Sequence, residues 1–162
     1  MRERSAVLTH RGGLRFEAVT GSGRTLVFGE DEAANEHSPV ELVAAALAAC
    51  TAMDVVSIME KKRQVVSSYT VSVEAVQRDE YPQVLTRIHL LHEVAGPDVT
   101  EQDVRRCIEL SATKYCPVNA MLSAGASEIH HAYRVRGRGA KPFEAEGEVV
   151  VTGPYRRPDV VA

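Results

Sequence analysis

Leu42 to Met59 reads LVAAALAACTAMDVVSIM, a run with one charged residue, Asp54, and one thiol, Cys50. Apolar side chains recur in every direction around this segment, which is the pattern of a helix covered on all sides. Ser38-Pro39-Val40-Glu41 supplies its start: Ser38 caps the helix, Pro39 takes the first helical position and Glu41 reaches back to the cap amide. Glu60-Lys61-Lys62-Arg63 supplies its stop, because cations suit the negative end of the helix dipole. A segment of this length could cross a bilayer. Asp54 at mid-span would cost about 2.5 to 3.5 kcal/mol there, and many of the apolar positions are weakly hydrophobic alanine, so the segment reads as a core helix and no membrane partner is expected.

The chain has 162 residues, 44% of them hydrophobic, enough to bury one substantial core. Residues 1–152 read as a single domain, and Gly153 to Ala162, with two prolines and little to pack, as a loosely held tail. The formal net charge is -3 and the basic residues are scattered, so the electrostatic footprint of a nucleic-acid binder is missing. The opening MRERSAVLTHRGG lacks the apolar core of a signal peptide, which points to the cytoplasm, where thiols stay reduced. Three cysteines, an odd number, argue against a static disulfide framework and for core thiols, metal ligands or redox work.

Ser5 to His10, Leu14 to Thr20 and Arg24 to Phe28 read as three short strands separated by Gly-rich turns, a small antiparallel meander. After the long helix, Tyr69-Val71-Val73-Ala75 alternates with polar residues as a half-buried strand should, and Val84 to Val94 makes its hairpin partner. Thr100-x-x-Asp103 opens a second helix whose inward positions are Val104, Cys107, Ile108, Ser111, Ala112 and Tyr115. Pro117 starts a short third helix, Val118 to Ala124, with Cys116 as its cap, and strands follow at Ile129 to Val135 and Glu146 to Thr152. The order is α+β, long buried central helix wrapped by antiparallel sheets. One sheet cannot enclose a helix that is apolar all round, so a second copy of the chain is the expected source of the other layer, in a homodimer.

The cysteines differ in setting. Cys50 reads as a small core residue or as a nucleophile; Asp54, one turn later on nearly the same face, disfavours its thiolate unless a cation from elsewhere pairs with it. Cys116, as the cap of a helix, faces free amide N–H groups and a positive dipole end, which lowers a thiol pKa; a plain capping role is the alternative. Cys107 lies on the inward stripe of the second helix and reads as core. None of the three has C-x-x-C spacing, and His89-x-x-His92 on a strand splits its imidazoles between opposite faces, as do His130 and His131. His89 falls with Arg87 and Glu93 on the polar face. No metal or cofactor is expected.

SPVELVAAALAAC at 38–50, its continuation TAMDVVSIMEKKRQ, and LSATKYCPVNAML at 110–122 together resemble the OsmC/Ohr family, the osmotically inducible and organic-hydroperoxide-resistance proteins, with the continuation most similar to its YhfA-like branch. The likeness covers about residues 5 to 135. It implies an intertwined homodimer with each active site at the subunit interface. It implies that Cys50 is the thiol that attacks the peroxide and becomes a sulfenic acid, that Cys116 condenses with it to a disulfide, and that a dithiol or lipoyl-type reductant reopens that disulfide. A second thiol traps a sulfenic acid before it over-oxidises.

The family's glutamate, ten residues before the peroxidatic cysteine, is replaced by Val40. Glu41 lies about 180° around the helix from Cys50 and is accounted for by capping. The family's activating arginine comes from the N-terminal strands or the following loop, where Arg11, Arg15 and Arg24 are the candidates. The leading function is a thiol-dependent peroxidase acting on organic hydroperoxides in oxidative-stress defence, with Cys50 and Cys116 as the site. The alternatives are a non-catalytic small-molecule-binding protein using the same cleft and a redox sensor that reacts once.

Overall fold

A computed structural model of the chain describes residues 3–30 and 35–153. It divides into two compact units, Met1–Val43 and Ala44–Ala162. The expected tail lies outside the described residues except for Gly153.

The N-terminal unit carries the expected meander, β1 (Ala6–His10), β2 (Phe16–Thr20) and β3 (Thr25–Phe28), paired antiparallel in chain order. The second and third strands start later than the sequence reading has them. Arg15 N–H closes a turn on Gly12 O at 3.0 Å, which takes Leu14 out of the strand, and Gly12 holds a φ of 105° that a side chain would disfavour. Arg24 O accepts Thr20 N–H at 2.9 Å and ends the next turn.

The long helix α1 (Pro39–Lys61) runs on into the second unit, followed by β4 (Ser68–Gln77), β5 (Leu85–Gly96), α2 (Glu101–Leu110), a π-helical turn (Ser111–Tyr115), α3 (Pro117–Ser123), β6 (Glu128–Gly137) and β7 (Phe143–Thr152). The α+β class stands, with the strands in two sheets and the second in the order β4-β5-β6-β7. β4–β5 is an antiparallel hairpin as expected and β6–β7 forms a second one, but β5 and β6 run parallel, so the sheet is mixed and not wholly antiparallel. The helical segment between them causes this: a parallel neighbour needs a long crossover, which α2 and α3 provide.

In-register pairs Leu90↔His131, His92↔Tyr133 and Val94↔Val135 turn one face of β5 and β6 inward. Val94, Tyr133 and Val135 join Val55 and Met59 of α1, Val99, and Val104, Cys107 and Ile108 of α2 in one core cluster. Burying an aliphatic side chain of this size contributes about 1.5 to 3 kcal/mol. Thr100 caps α2, its Oγ1 accepting Asp103 N–H at 3.1 Å.

α1 meets this core along one stripe, Ala44, Leu47, Thr51, Val55 and Met59, at three- and four-residue spacing. Its other face is open in the single chain: Ala45, Ala46 and Ala49 are exposed and Met53 is 74% exposed. The expected cover on every side is thus present on one face only, since a single sheet layer reaches one side of a helix. By length and composition alone α1 could also cross a membrane.

Tyr115, expected inward, is 48% exposed. The π-helical turn explains it: Cys116 N–H bonds Ser111 O at 2.9 Å, five residues back, and the wider turn rotates Tyr115 off the stripe that Val104 to Ala112 follow.

Candidate active site

Three short segments converge beside the core. One turn of α1 carries Cys50, Thr51 and Asp54, the π-helical turn starts at Ser111, and α3 is capped by Cys116. The last placement follows from Pro117, which has no N–H to give and drives the residue before it to an extended backbone. Cys116 accordingly has φ -73° and ψ 106°, and its Sγ accepts Asn119 N–H at 3.3 Å.

The Sγ atoms of Cys50 and Cys116 and a carboxylate oxygen of Asp54 all lie within 4.8 Å of one another. Both thiols are reduced. A disulfide needs its sulfurs at about 2.05 Å, so closing one here requires the two side chains to move together. Cys50 is half-buried and Cys116 only 2% exposed, so of the two residues Cys50 is the one solvent reaches more readily. Cys50, Asp54 and Cys116 are of metal-ligating types, a grouping that sequence spacing does not register. A closed structural zinc site takes four such donors, and here Asp54 Oδ2 is engaged by Ser111.

That engagement belongs to a chain of hydroxyls. Ser111 Oγ–H donates to Asp54 Oδ2 at 2.9 Å, and Ser111 Oγ lies 3.1 Å from Thr51 Oγ1, both hydroxyl residues being fully buried. The Thr51 hydroxyl bears on the Cys116 sulfur and pulls its pKa down, the effect of an O–H that favours the thiolate. Capping does pull the Cys116 pKa down as expected, but the expected net lowering is overturned. Burial pushes this thiol up to about 11, outweighing the Asn119 N–H that pulls it down, and the Cys50 thiol adds to the rise. Cys107 is buried in the core as expected, and burial pushes it to about 11 as well.

A second buried polar chain starts on the other side of Cys116. Asn119 Nδ2 donates to Ala112 O at 2.9 Å and Thr152 Oγ1 at 3.1 Å, leaving its Oδ1 to accept His131 Nε2–H at 2.9 Å. His131 Nδ1 then faces His92 Nε2 at 3.4 Å, and His92 Nδ1 faces Tyr69 Oη at 2.8 Å. With both rings neutral and protonated on Nε2, every polar atom in the series has a partner. Burial supports that state, lowering His92 to about 3 and His131 to about 4. His89 is exposed, in line with its polar-face reading. His130, on the opposite face of β6 from His131, pairs with Glu128 at 2.7 Å and Glu148 at 2.9 Å.

The family model described as OsmC-like protein matches residues 29–131. The chain belongs to the OsmC-like family. It is 38% identical over 123 residues to Protein YhfA of Escherichia coli (strain K12), a stretch that covers 76% of this chain and 91% of that one. The fold of this OsmC-like chain is similar to that of a hypothetical protein from Aquifex aeolicus VF5, at 25% identity and a TM-score of 0.75 over 85% of this chain and 99% of the other. It is also similar to an organic hydroperoxide resistance protein OsmC from Legionella pneumophila, at 14% identity and a TM-score of 0.63 over 83% and 97% of the two chains.

Set on the OsmC-like fold, the two cysteines named from sequence come together, and Asp54, read there only as a neighbour that disfavours the Cys50 thiolate, proves to be tied to Ser111. Of the candidate arginines, Arg11 pairs with Glu17 at 3.0 Å and Arg15 with Glu36 at 3.2 Å, both within the N-terminal unit. Sequence reasoning missed Thr51 and Asn119 as parts of the polar surroundings, and likewise the inward pair His92 and His131. One signal could have found some of them. Ser111 sits on the apolar stripe of the second helix and His131 on the inward register with Ile129, Tyr133 and Val135, and a polar group at an inward position has to find a partner.

Proposed function

We propose that this OsmC-like protein is a thiol-dependent peroxidase for organic hydroperoxides, with Cys50 as nucleophile and Cys116 as resolving thiol. The single observation behind the reading is the half-buried sulfur of Cys50 beside the sheltered sulfur of Cys116, both reduced and within 4.8 Å. The Cys50 thiolate attacks the terminal peroxide oxygen: an S–O bond forms, the O–O bond breaks, and the alkoxide leaves and is protonated to the alcohol. Cys116 then attacks the sulfenic sulfur, an S–S bond forms, and water departs. Two electrons from a dithiol, a lipoyl-type partner among the candidates, return both thiols.

The working form in this reading is a homodimer in the cytoplasm, acting in oxidative-stress defence with no cofactor. The exposed face of α1 around Met53, together with Met121 at 67% exposure, offers apolar surface for a second copy. A surface depression of about 590 Å³ is lined by Glu101, Gln102, Arg105, Arg106, Glu109 and Val149, mostly charged side chains, and not by the cysteines. A substrate wall supplied by the second copy fits that distribution.

The test is to mix reduced protein with an organic hydroperoxide and follow free thiols and intact mass. Loss of two thiols per chain with a Cys50–Cys116 disulfide is the expected result. Unchanged thiols at Cys50 and Cys116 would end the proposal.

A further inference from the structure

The two cysteines have a third donor beside them, and the three together carry a chemistry that the peroxidase reading leaves unused. Cys50 and Asp54 stand one helical turn apart on α1, so their side chains leave the same side of the helix. Cys116 comes from the cap of α3. The two sulfurs and a carboxylate oxygen of Asp54 all lie within 4.8 Å of one another, and all three residues belong to the same compact unit. Two donors at i and i+4 on a helix, completed by a third from a distant segment, are how helix-borne zinc sites are built.

Spacing and surroundings both suit that ion. Zinc takes thiolate sulfur at about 2.3 Å and carboxylate oxygen at about 2.0 to 2.2 Å, which at tetrahedral angles puts two sulfurs about 3.8 Å apart and sulfur and oxygen about 3.6 Å apart. No pair here has to close by more than about 1.2 Å to reach that geometry. Ser111 O–H donates to Asp54 Oδ2 at 2.9 Å and Asn119 N–H to Cys116 Sγ at 3.3 Å, and both bonds favour the ionised, ligating form of the group they reach. Thr51 Oγ1, 3.1 Å from Ser111 Oγ, holds Ser111 in turn. Two soft sulfurs select against calcium and magnesium, which take oxygen.

We propose that Cys50, Cys116 and Asp54 bind one zinc ion reversibly, with water in the fourth position. Binding exchanges two protons for the ion: both sulfurs ligate as thiolates, and their protons pass to solvent. Three protein ligands make the open arrangement and not the closed structural one, so a chelator has a place from which to take the ion. Zinc-held sulfurs stay about 3.8 Å apart with their lone pairs engaged, so the ion and a hydroperoxide compete for the same two thiols. That competition rests on the peroxidase reading; the binding itself does not.

The experiment starts with reduced full-length protein in the absence of oxygen and peroxide. Cobalt(II) chloride serves as the spectroscopic stand-in for zinc, and zinc chloride then displaces it. One cobalt ion per chain is expected, with sulfur-to-metal charge-transfer bands and the visible bands of a tetrahedral ion, and an equivalent of zinc should bleach both. Ser111→Ala, which removes only a supporting bond, should weaken zinc binding about 10- to 100-fold, and loss of a ligand in Cys50→Ser, Cys116→Ser or Asp54→Asn should weaken it further. Cys107→Ala should bind as the wild type does. Should a ligand variant fold poorly, the wild type still answers: zinc should slow alkylation of Cys50 by iodoacetamide, and EDTA should restore it. Cobalt spectra without sulfur bands, wild-type zinc affinity in Asp54→Asn, or an undiminished alkylation rate in saturating zinc would each overturn the site. Zinc binding by a protein whose thiols ignore tert-butyl hydroperoxide would sink the peroxidase reading alone, and a peroxide-formed Cys50–Cys116 disulfide in a protein that binds no zinc would do the reverse. With both in place, zinc should slow formation of that disulfide.

Discussion

Two buried polar chains meet at the first turn of α3, and they differ in what lies at their ends. One links Thr51, Ser111 and Asp54, whose carboxylate lies within 4.8 Å of both the Cys50 and the Cys116 sulfur. The other runs from Asn119 through His131 and His92 to the half-buried Tyr69. Asn119 serves both sides, its backbone N–H on the Cys116 sulfur and its carboxamide on His131. The first chain borders two thiols, where a bond can change. The second holds no thiol, and its satisfied neutral groups fix the seat of α3 against the sheet.

The largest expected effect falls on the first chain. Cys50→Ser should abolish hydroperoxide consumption in a coupled dithiol assay, and Cys116→Ser should still form a trappable sulfenic acid at Cys50 but no disulfide. Neither should change the unfolding free energy in urea by more than about 1 kcal/mol, the ordinary scale for a near-isosteric change. The second chain should answer the opposite way. His131→Leu strands His92 Nε2–H and leaves Asn119 Oδ1 with only the longer bond from Thr152 Oγ1 at 3.4 Å, and an unpaired buried polar group costs about 1 to 3 kcal/mol. A loss of about 2 to 4 kcal/mol in urea unfolding is expected, with Cys50 still oxidised by hydroperoxide. If His131→Leu silenced Cys50 without destabilising the fold, the division between the chains would collapse.

The sequence made one chain partly legible and hid the other. Cys50 and Cys116 stand out because thiols are few and each sits at a named place, mid-helix and cap. The helices, the β4–β5 hairpin and the N-terminal meander follow from periodicity, glycine turns and caps, which are local signals. The parallel pairing of β5 and β6 is not local, since it depends on where a crossover of about thirty residues lands. Nor is the direction of the Cys116 shift: the cap geometry is readable, whereas the burial that outweighs it comes from the packing of α1 and the sheet. His92 and His131 lie far apart in sequence, and only the in-register pairing of β5 with β6 brings their rings together.

The histidine chain also carries a pH signature. His92 and His131 are lowered to about 3 and about 4 in the fold, by burial first, with His131 acting on His92, and with His130 and His89 acting on His131. Unfolded, both take up protons near pH 6.5. Between about pH 6.5 and 4 the unfolded chain binds more protons than the folded one, so stability falls as pH falls, by up to about 1.4 kcal/mol per pH unit for each ring. His130 works in the other direction, raised by Glu148 and Glu128, so its stabilising pairings are fully present below pH 6.5 and lost as pH rises through its raised value. Urea midpoints measured from pH 7 to 5 should therefore drop, and drop less steeply in His131→Leu. An equal slope in that variant would show that the acid sensitivity comes from elsewhere.

Cys107 gives the smallest effect and a control for both chains. It is a thiol as buried as Cys116 and pushed to the same value near 11, in its case by burial against Val55, Val94 and Ile108, with the Lys62 cation pulling the other way. What it lacks is a place in either polar series. If burial and thiol chemistry alone made a resolving cysteine, Cys107 would qualify; in the proposed mechanism Cys116 differs from it by lying within 4.8 Å of the Cys50 sulfur. Cys107→Ala should cost about 1 kcal/mol in urea unfolding and leave the yield of the Cys50–Cys116 disulfide unchanged in peptide maps. A mixed disulfide through Cys107 in the wild type would remove the distinction, because it would mean that the core around α2 opens far enough for a thiol remote from Cys50 to compete.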